Sequence, residues 1–119
     1  MPYELDVALL ANRPDAADVC RQALFHYGIP RALHDGLVRY LVDGIRPGSF
    51  LAAVLENDLR EAVTRANPVE NFLTLPSLVR FLFNEAPAHA WGSPERVTVW
   101  SATRRAPAIP DMPEWPSRS

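Results

Sequence analysis

The residues with chemical potential are few. Three histidines, His26, His34 and His89, and a single cysteine, Cys20, stand among fourteen acids and twelve basic side chains. With Asp35, Glu61 or Glu85 the imidazoles could in principle ligate a metal. No two histidines stand four apart on a helix, however, and no Cys/His ligand spacing occurs. They read as surface or cap histidines. Cys20 and His26 could suggest a thiol nucleophile with its base, but six residues along a helix turn through about 600°, which sends the two side chains to different faces. Cys20 also shares a stripe with apolar residues, so it reads as an inert buried thiol. One cysteine forms no intramolecular disulfide and no multi-cysteine metal site. A glycine-rich phosphate loop, a nucleophile elbow and a coiled-coil heptad are all missing from the sequence. No catalytic residue, metal or cofactor follows from these residues.

Side chains suited to binding are more numerous. Asn57-Asp58 falls in the middle of a helical pattern, although Asn and Asp are indifferent helix formers. Asp58 then either reaches a helix end or an arginine such as Arg39 or Arg46, locking the fold, or joins Asn57 and Glu61 in a polar cleft. Trp91 sits at the entry to the last helix, as a hydrophobic staple or as an interface anchor, since Trp and Arg are over-represented at binding hot spots. Arg80, Arg96, Arg104 and Arg105 form the only grouping that suits nucleic acid, and the roughly eight-residue connection between their helices is long for a helix-turn-helix. Arg104 to Pro110 has the positive-x-x-Pro-x-x-Pro form that docks in aromatic-lined grooves. A third set, Asp58, Glu61, His34 and Arg39, would have to converge on one cleft to serve a small-ligand site or an enzyme.

Prolines and glycines punctuate the elements that must position these groups. Pro14 opens a helix carrying Ala16, Cys20, Ala23, Leu24 and Tyr27, and Gly28 stops it. Pro30 opens a second, with Leu33, Leu37, Tyr40 and Leu41, ended by Gly44. Ile45–Gly48 is a turn. Ser49 caps the longest predicted helix, about residues 50–66, whose stripe is Phe50, Leu51, Val54, Leu55, Leu59, Ala62 and Val63. Asn67-Pro68 ends it and starts at most a short turn through Asn71. A further helix begins at Thr74 or Leu75, before Pro76, and runs to about Glu85. It is apolar on most sides (Leu78, Val79, Phe81, Leu82, Phe83), which predicts a place at the centre of the core. Ser93-Pro94-Glu95 starts the last helix, to about Ala102, with Val97 and Trp100 on its face. At the other end Tyr3, Leu5, Val7 and Leu9 alternate as in a short strand, with a helical or irregular lead-in equally open. Pro107, Pro110, Pro113 and Pro116 recur with the period of a polyproline II arm, along which Ile109, Met112 and Trp115 could anchor. The expected architecture is therefore all-α: a lead-in over 1–12, a bundle of about five helices over 13–103 and an extended proline-rich tail over 104–119.

The 119 residues suit one domain, and an apolar share of 48% is ordinary for a globular chain. Net charge is −2, with neither half a basic block, so the electrostatic footprint of a nucleic-acid binder is missing. No apolar run approaches the length needed to cross a bilayer, and the acids at Glu4 and Asp6 do not suit a signal peptide. With a lone cysteine, these features predict a cytoplasmic protein.

The segment His34-Asp35-Gly36-Leu37-Val38-Arg39-Tyr40 followed by Gly44 to Leu59, with Phe83-Asn84-Glu85-Ala86-Pro87 and Trp91-Gly92-Ser93-Pro94-Glu95, resembles a family of small uncharacterised proteins of bacteriophages and bacterial mobile elements. The resemblance covers roughly residues 30–100. It implies an origin and a compact helical fold, and it brings no reaction and no catalytic residues with it. The sequence thus points first to a non-enzymatic interaction module, an accessory factor that binds and modulates a host or defence-system complex, inhibitors included. Asn57, Asp58, Glu61, Trp91, Arg96, Arg104, Arg105 and Trp115 are the candidate partner-binding residues. Homo-oligomerisation is a further option; a nucleic-acid-binding regulator and a small ligand-binding protein or enzyme are the alternatives, and a membrane role is not expected.

Overall fold

In the computed structural model, which describes residues 3–105, every regular element is helical, as the sequence pattern predicts. Seven α-helices follow one another: α1 Leu5–Leu10, α2 Ala16–His26, α3 His34–Asp43, α4 Ser49–Leu55, α5 Leu59–Thr64, α6 Val69–Glu85 and α7 Pro94–Arg105. Short 3-10 turns at Arg31–Leu33 and Ala88–Ala90 lead into α3 and α7. α2 packs between α1 and α3 and also reaches α6; α3 supports α7, and α4 lies against α5 and α6. The proline-rich arm falls outside the described residues.

The N-terminal segment resolves its two readings in favour of helix. Leu5, Ala8 and Leu9 are fully buried while Val7 is 51% exposed. Their spacing of three and four residues is that of one helix face, and Ala8 is the residue that the alternating reading left without a role. Residues 5–10 are therefore part of the core.

The predicted helix over 50–66 is two helices. Six consecutive residues, Phe50 to Leu55, are buried, and the chain then breaks at Glu56-Asn57-Asp58. Asn57 takes the left-handed conformation, φ +62°, which Asn tolerates better than most residues. Asp58 becomes the N-cap of α5, its carboxylate accepting from the Glu61 amide at 3.1 Å. Beyond the break only Ala62 is buried; Leu59 and Val63, expected on the core stripe, are 70% and 44% exposed.

α6 also departs from expectation. It starts at Val69, so Pro76 lies inside it instead of opening it. Proline has no N–H and leaves the carbonyl four residues back without its helical partner. Pro76 is exposed, so that cost falls on the solvent side of the helix. Nor is α6 central: Leu78, Phe81, Leu82 and Glu85 are buried, whereas Val79 and Phe83 are 46% and 74% exposed. The Glu85 carboxylate accepts from the Tyr27 hydroxyl at 3.0 Å.

α7 runs past Ala102 to Arg105 and closes the far end of α3. Trp100 Nε1 donates to the carbonyls of Tyr40 and Leu41 at 3.3 and 3.2 Å, and Ser101 Oγ donates to Gly44. Arg104 donates to Val42 at 3.1 Å and to Leu9 at 2.7 Å, with its guanidinium over the Trp100 ring. The Leu41, Val42 and Gly44 carbonyls are ones that the end of a helix leaves without intrahelical partners, whereas Tyr40 and Leu9 also accept from the Gly44 and Asn12 amides at 2.9 and 3.2 Å. Gly44 makes the approach possible. Its φ is +75°, and an added Cβ would fall 2.6 Å from the Ser101 carbonyl and 2.7 Å from Arg104 Cβ. Gly28 has a similar φ, +73°, with nothing within 4 Å of such a Cβ. Gly44→Ala should therefore cost at least about 2 kcal/mol and Gly28→Ala only about 1 kcal/mol. Urea unfolding midpoints of the two variants check this; equal losses would show that backbone strain, not the close contact, is the whole requirement at Gly44.

Candidate functional site

Four of the predicted partner-binding residues come together where α4, α5, α6 and the 86–93 connection meet. A shallow groove of about 50 Å³ is lined by Ala53, Val54, Asn57, Asp58, Leu59, Ala62, Leu75 and Val79. It adjoins a hollow of about 380 Å³ walled by Asn57, Phe83, Ala86, Ala88, Trp91, Gly92 and Arg96. Asn57 belongs to both. Its left-handed backbone, which splits the long helix, therefore stands at the junction of the two depressions.

Local interactions hold this surface in place. The Gly92 amide donates to the Leu55 carbonyl at 2.7 Å, tying the loop to the end of α4. Ser93 caps α7 by accepting from the Arg96 amide at 3.1 Å, as its position before Pro94 predicts. Arg96 Nη1 donates to the carbonyls of Ala88 and Trp91 at 3.2 and 3.4 Å, so the guanidinium braces the loop while it edges the hollow. Trp91 is partly buried against the core and also walls the hollow. Between these polar groups lie Leu59, Val79 and Phe83, all exposed.

The other sequence candidates lie elsewhere. Glu61 is on the exposed flank of α5, paired with Arg65 at 3.2 Å. Arg104 is turned inward onto the α1 and α3 carbonyls, where burial pulls its pKa below the usual guanidinium value, so its guanidinium already serves the fold. Arg105 is exposed at the end of α7, and Trp115 lies outside the described residues. Asp58 does reach a helix end, that of its own α5, while Arg46 pairs with Glu56 at 2.8 Å and Arg39 is exposed. His34 is 4% exposed, in place of the surface or cap position expected, with Nε2 2.7 Å from the Ile29 carbonyl. It lines a separate depression with Arg21, Phe25, Arg31 and Asp35, so His34 and Arg39 do not join Asp58 and Glu61 around one cleft. Among the described residues no three His, Cys, Asp or Glu side chains gather as a metal site would need, and no helix is long and apolar enough to cross a membrane.

Sequence reasoning assigned Leu59, Val79 and Phe83 to the core and so missed them as surface. The available signal was α6 itself, whose apolar residues fill more of its circumference than one buried face can take. Comparisons with known family models, curated proteins and solved structures gave no match to this chain.

Two outcomes test this description. Asp58→Ala should lower stability by about 1 kcal/mol through loss of the α5 cap, seen as a lower urea midpoint at unchanged helix content. Cys20 is fully buried, and burial pushes its thiol up to about 12, so it stays protonated and shielded across the neutral range. In the native protein it should react with a thiol reagent at pH 8 only as fast as the chain unfolds, and at the rate of a free thiol in denaturant.

Proposed function

We propose that this chain is a non-enzymatic interaction protein, an accessory factor of phage or mobile-element type that acts in the cytoplasm by docking on a host or defence-system protein and modulating it. The observation that carries the reading is the exposed apolar run Leu59, Val79 and Phe83, set beside Trp91 and edged by Asn57, Asp58 and Arg96. An apolar centre with a polar rim is the anatomy of a protein interface, and Trp and Arg are its commonest anchors. The groove is too small for an ordinary ligand, which fills about 300–1,000 Å³, and the roomier hollow is open and braced by loop carbonyls instead of converging polar groups. Arg96 and Arg104 already serve internal carbonyls, which leaves Arg80 and Arg105 as a thin basis for phosphate contacts.

Affinity capture from a bacterial lysate tests this, using the tagged full-length chain beside Leu59→Asp and Phe83→Asp. The expected result is a stoichiometric protein partner that resists nuclease and is lost with either substitution while helix content is kept. Capture that disappears on nuclease treatment, or that ignores both substitutions, would overturn the assignment of this face. A truncation used to ask about the tail should fall after Arg105, because a shorter chain would lose the Arg104 contacts with α1 and α3.

A further inference from the structure

A separate depression lies where α2 leads into α3. About 270 Å³ in volume, it is walled by Arg21, Phe25, Arg31, His34 and Asp35, none of which borders the groove or the hollow. Arg21 and Phe25 stand four apart on α2 and so share a face. Phe25 is 66% exposed, with the Arg31 guanidinium 5.9 Å from its ring centroid. Arg21 pairs with Asp35 at 3.0 Å, and 73% of the Asp35 side chain meets solvent. His34 is the buried member, its ring edge-on to Phe25 at 5.7 Å. The Ile29 carbonyl can only accept, so Nε2 carries the proton and Nδ1 the lone pair of the neutral ring. No group among the described residues hydrogen-bonds Nδ1. The one enclosed side-chain polar atom without a partner among those residues is an oxygen of Glu85, so Nδ1 keeps contact with solvent, and the depression is where the ring meets it.

We infer that this depression binds a small planar anion, a single aromatic ring linked to one carboxylate or phosphate group. Charge, shape and polarity each contribute. Two guanidiniums face one carboxylate, and α3 begins without a side-chain cap, so its first-turn amides add to the positive field. Guanidinium groups take carboxylate and phosphate in bidentate fashion, and they also stack on planar rings. A ring laid against Phe25 brings its acid group to Arg31 and Arg21, and an N–H or O–H of the ligand is left to donate to His34 Nδ1. The Arg21–Asp35 pair is exposed and correspondingly weak, so an incoming acid displaces Asp35 at little cost. The volume lies just under the usual range for ligand pockets, about 300–1,000 Å³, which admits one ring and excludes a dinucleotide. The hollow beside Trp91 is larger but brings no such set of polar groups together. A free aromatic acid and a pyrimidine nucleoside monophosphate share this chemistry. The depression has no residue in common with the docking face, so its occupancy and the capture of a partner are separate properties of the chain.

Titration of the isotope-labelled full chain, followed through its amide chemical shifts, tests this with para-hydroxybenzoate and cytidine monophosphate as probes. At least one is expected to bind with a Kd below about 1 mM, moving the amides of Phe25, Arg31, His34 and Gly36 first. Whichever binds better names the source of the ligand. Inorganic phosphate and benzyl alcohol, which carry the acid and the ring separately, should each bind at least about tenfold more weakly. Phe25→Ala and Arg31→Ala replace exposed side chains, so helix content should be kept while the better probe weakens about tenfold. Asp35→Asn removes the competing carboxylate and frees Arg21, and should tighten that probe about threefold. Four results would each overturn the proposal: no binding of either probe at about 5 mM, inorganic phosphate binding as tightly as the better probe, shifts centred on Phe83 and Trp91, or an Asp35→Asn variant that binds no more tightly than the wild type.

Discussion

The end of α3 is the constraint on which the rest of the fold depends. A helix stops with carbonyls that have no intrahelical partner, and burying them unpaired is costly. Here α7 supplies the donors for Leu41, Val42 and Gly44 through Trp100, Arg104 and Ser101, and Trp100 and Arg104 each add a second bond, to Tyr40 and to Leu9 of α1, whose carbonyls also accept a backbone amide. Three side chains within one and a half turns thereby join the first, third and last helices. The position of α7 sets that of the loop before it, and Tyr40 returns the link by donating to the Ala90 carbonyl at 2.6 Å. Burial pushes the Tyr40 phenol up, so it remains a donor over the whole range in which the protein would be used. Trp91, Gly92 and Arg96 are placed by this chain of contacts, although none of them touches α3 through a side-chain hydrogen bond among the described residues.

Much of this was legible in residue types and spacing, and the departures have local causes. The proline-first, glycine-last framing located α2, α3 and the start of α7, because a fixed φ at Pro and a free one at Gly are properties of the residues themselves. Cys20 on the inner stripe of α2 followed from periodicity alone. The division of 50–66 did not, because the apolar pattern runs through Asn57 unbroken and only the preference of Asn for left-handed backbone hints at a stop. The status of Arg104 was equally hidden. Two adjacent arginines read as a basic patch, and only the folded chain shows one of them serving carbonyls drawn from residues as distant as Leu9. His34 escaped for the same reason, since its partner is a backbone oxygen with no sequence signature.

The candidate site was half legible. Asn57, Asp58, Trp91 and Arg96 stood out because each is an unusual residue for its setting: a poor helix former, a lone aromatic, an arginine in a first turn. The apolar residues between them did not, because an exposed leucine and a buried one look alike in a sequence. Excess is the informative quantity. Val69, Phe72, Leu73, Val79 and Phe83 exceed what a helix with one buried face requires, and Pro76, tolerated only where a lost backbone bond can be met from outside the core, marks the side on which the excess lies.

The break at Asn57 connects these points. Were 50–66 one helix, Leu59 and Val63 would continue the stripe of Phe50, Val54 and Leu55 and be drawn into the core with them. One left-handed residue changes the direction of the chain, Asp58 restarts the helix by capping it, and both leucine and valine turn outward. Leu59 then meets Val79 across the groove, extending the outer face of α6 sideways. A left-handed non-glycine residue and exposed large apolar groups each weaken a monomer, the first by backbone strain and the second by keeping water against hydrocarbon. Their coincidence at one surface, braced by the Gly92–Leu55 hydrogen bond and by the Arg96 contacts with the loop, is what a site shaped for another protein surface requires.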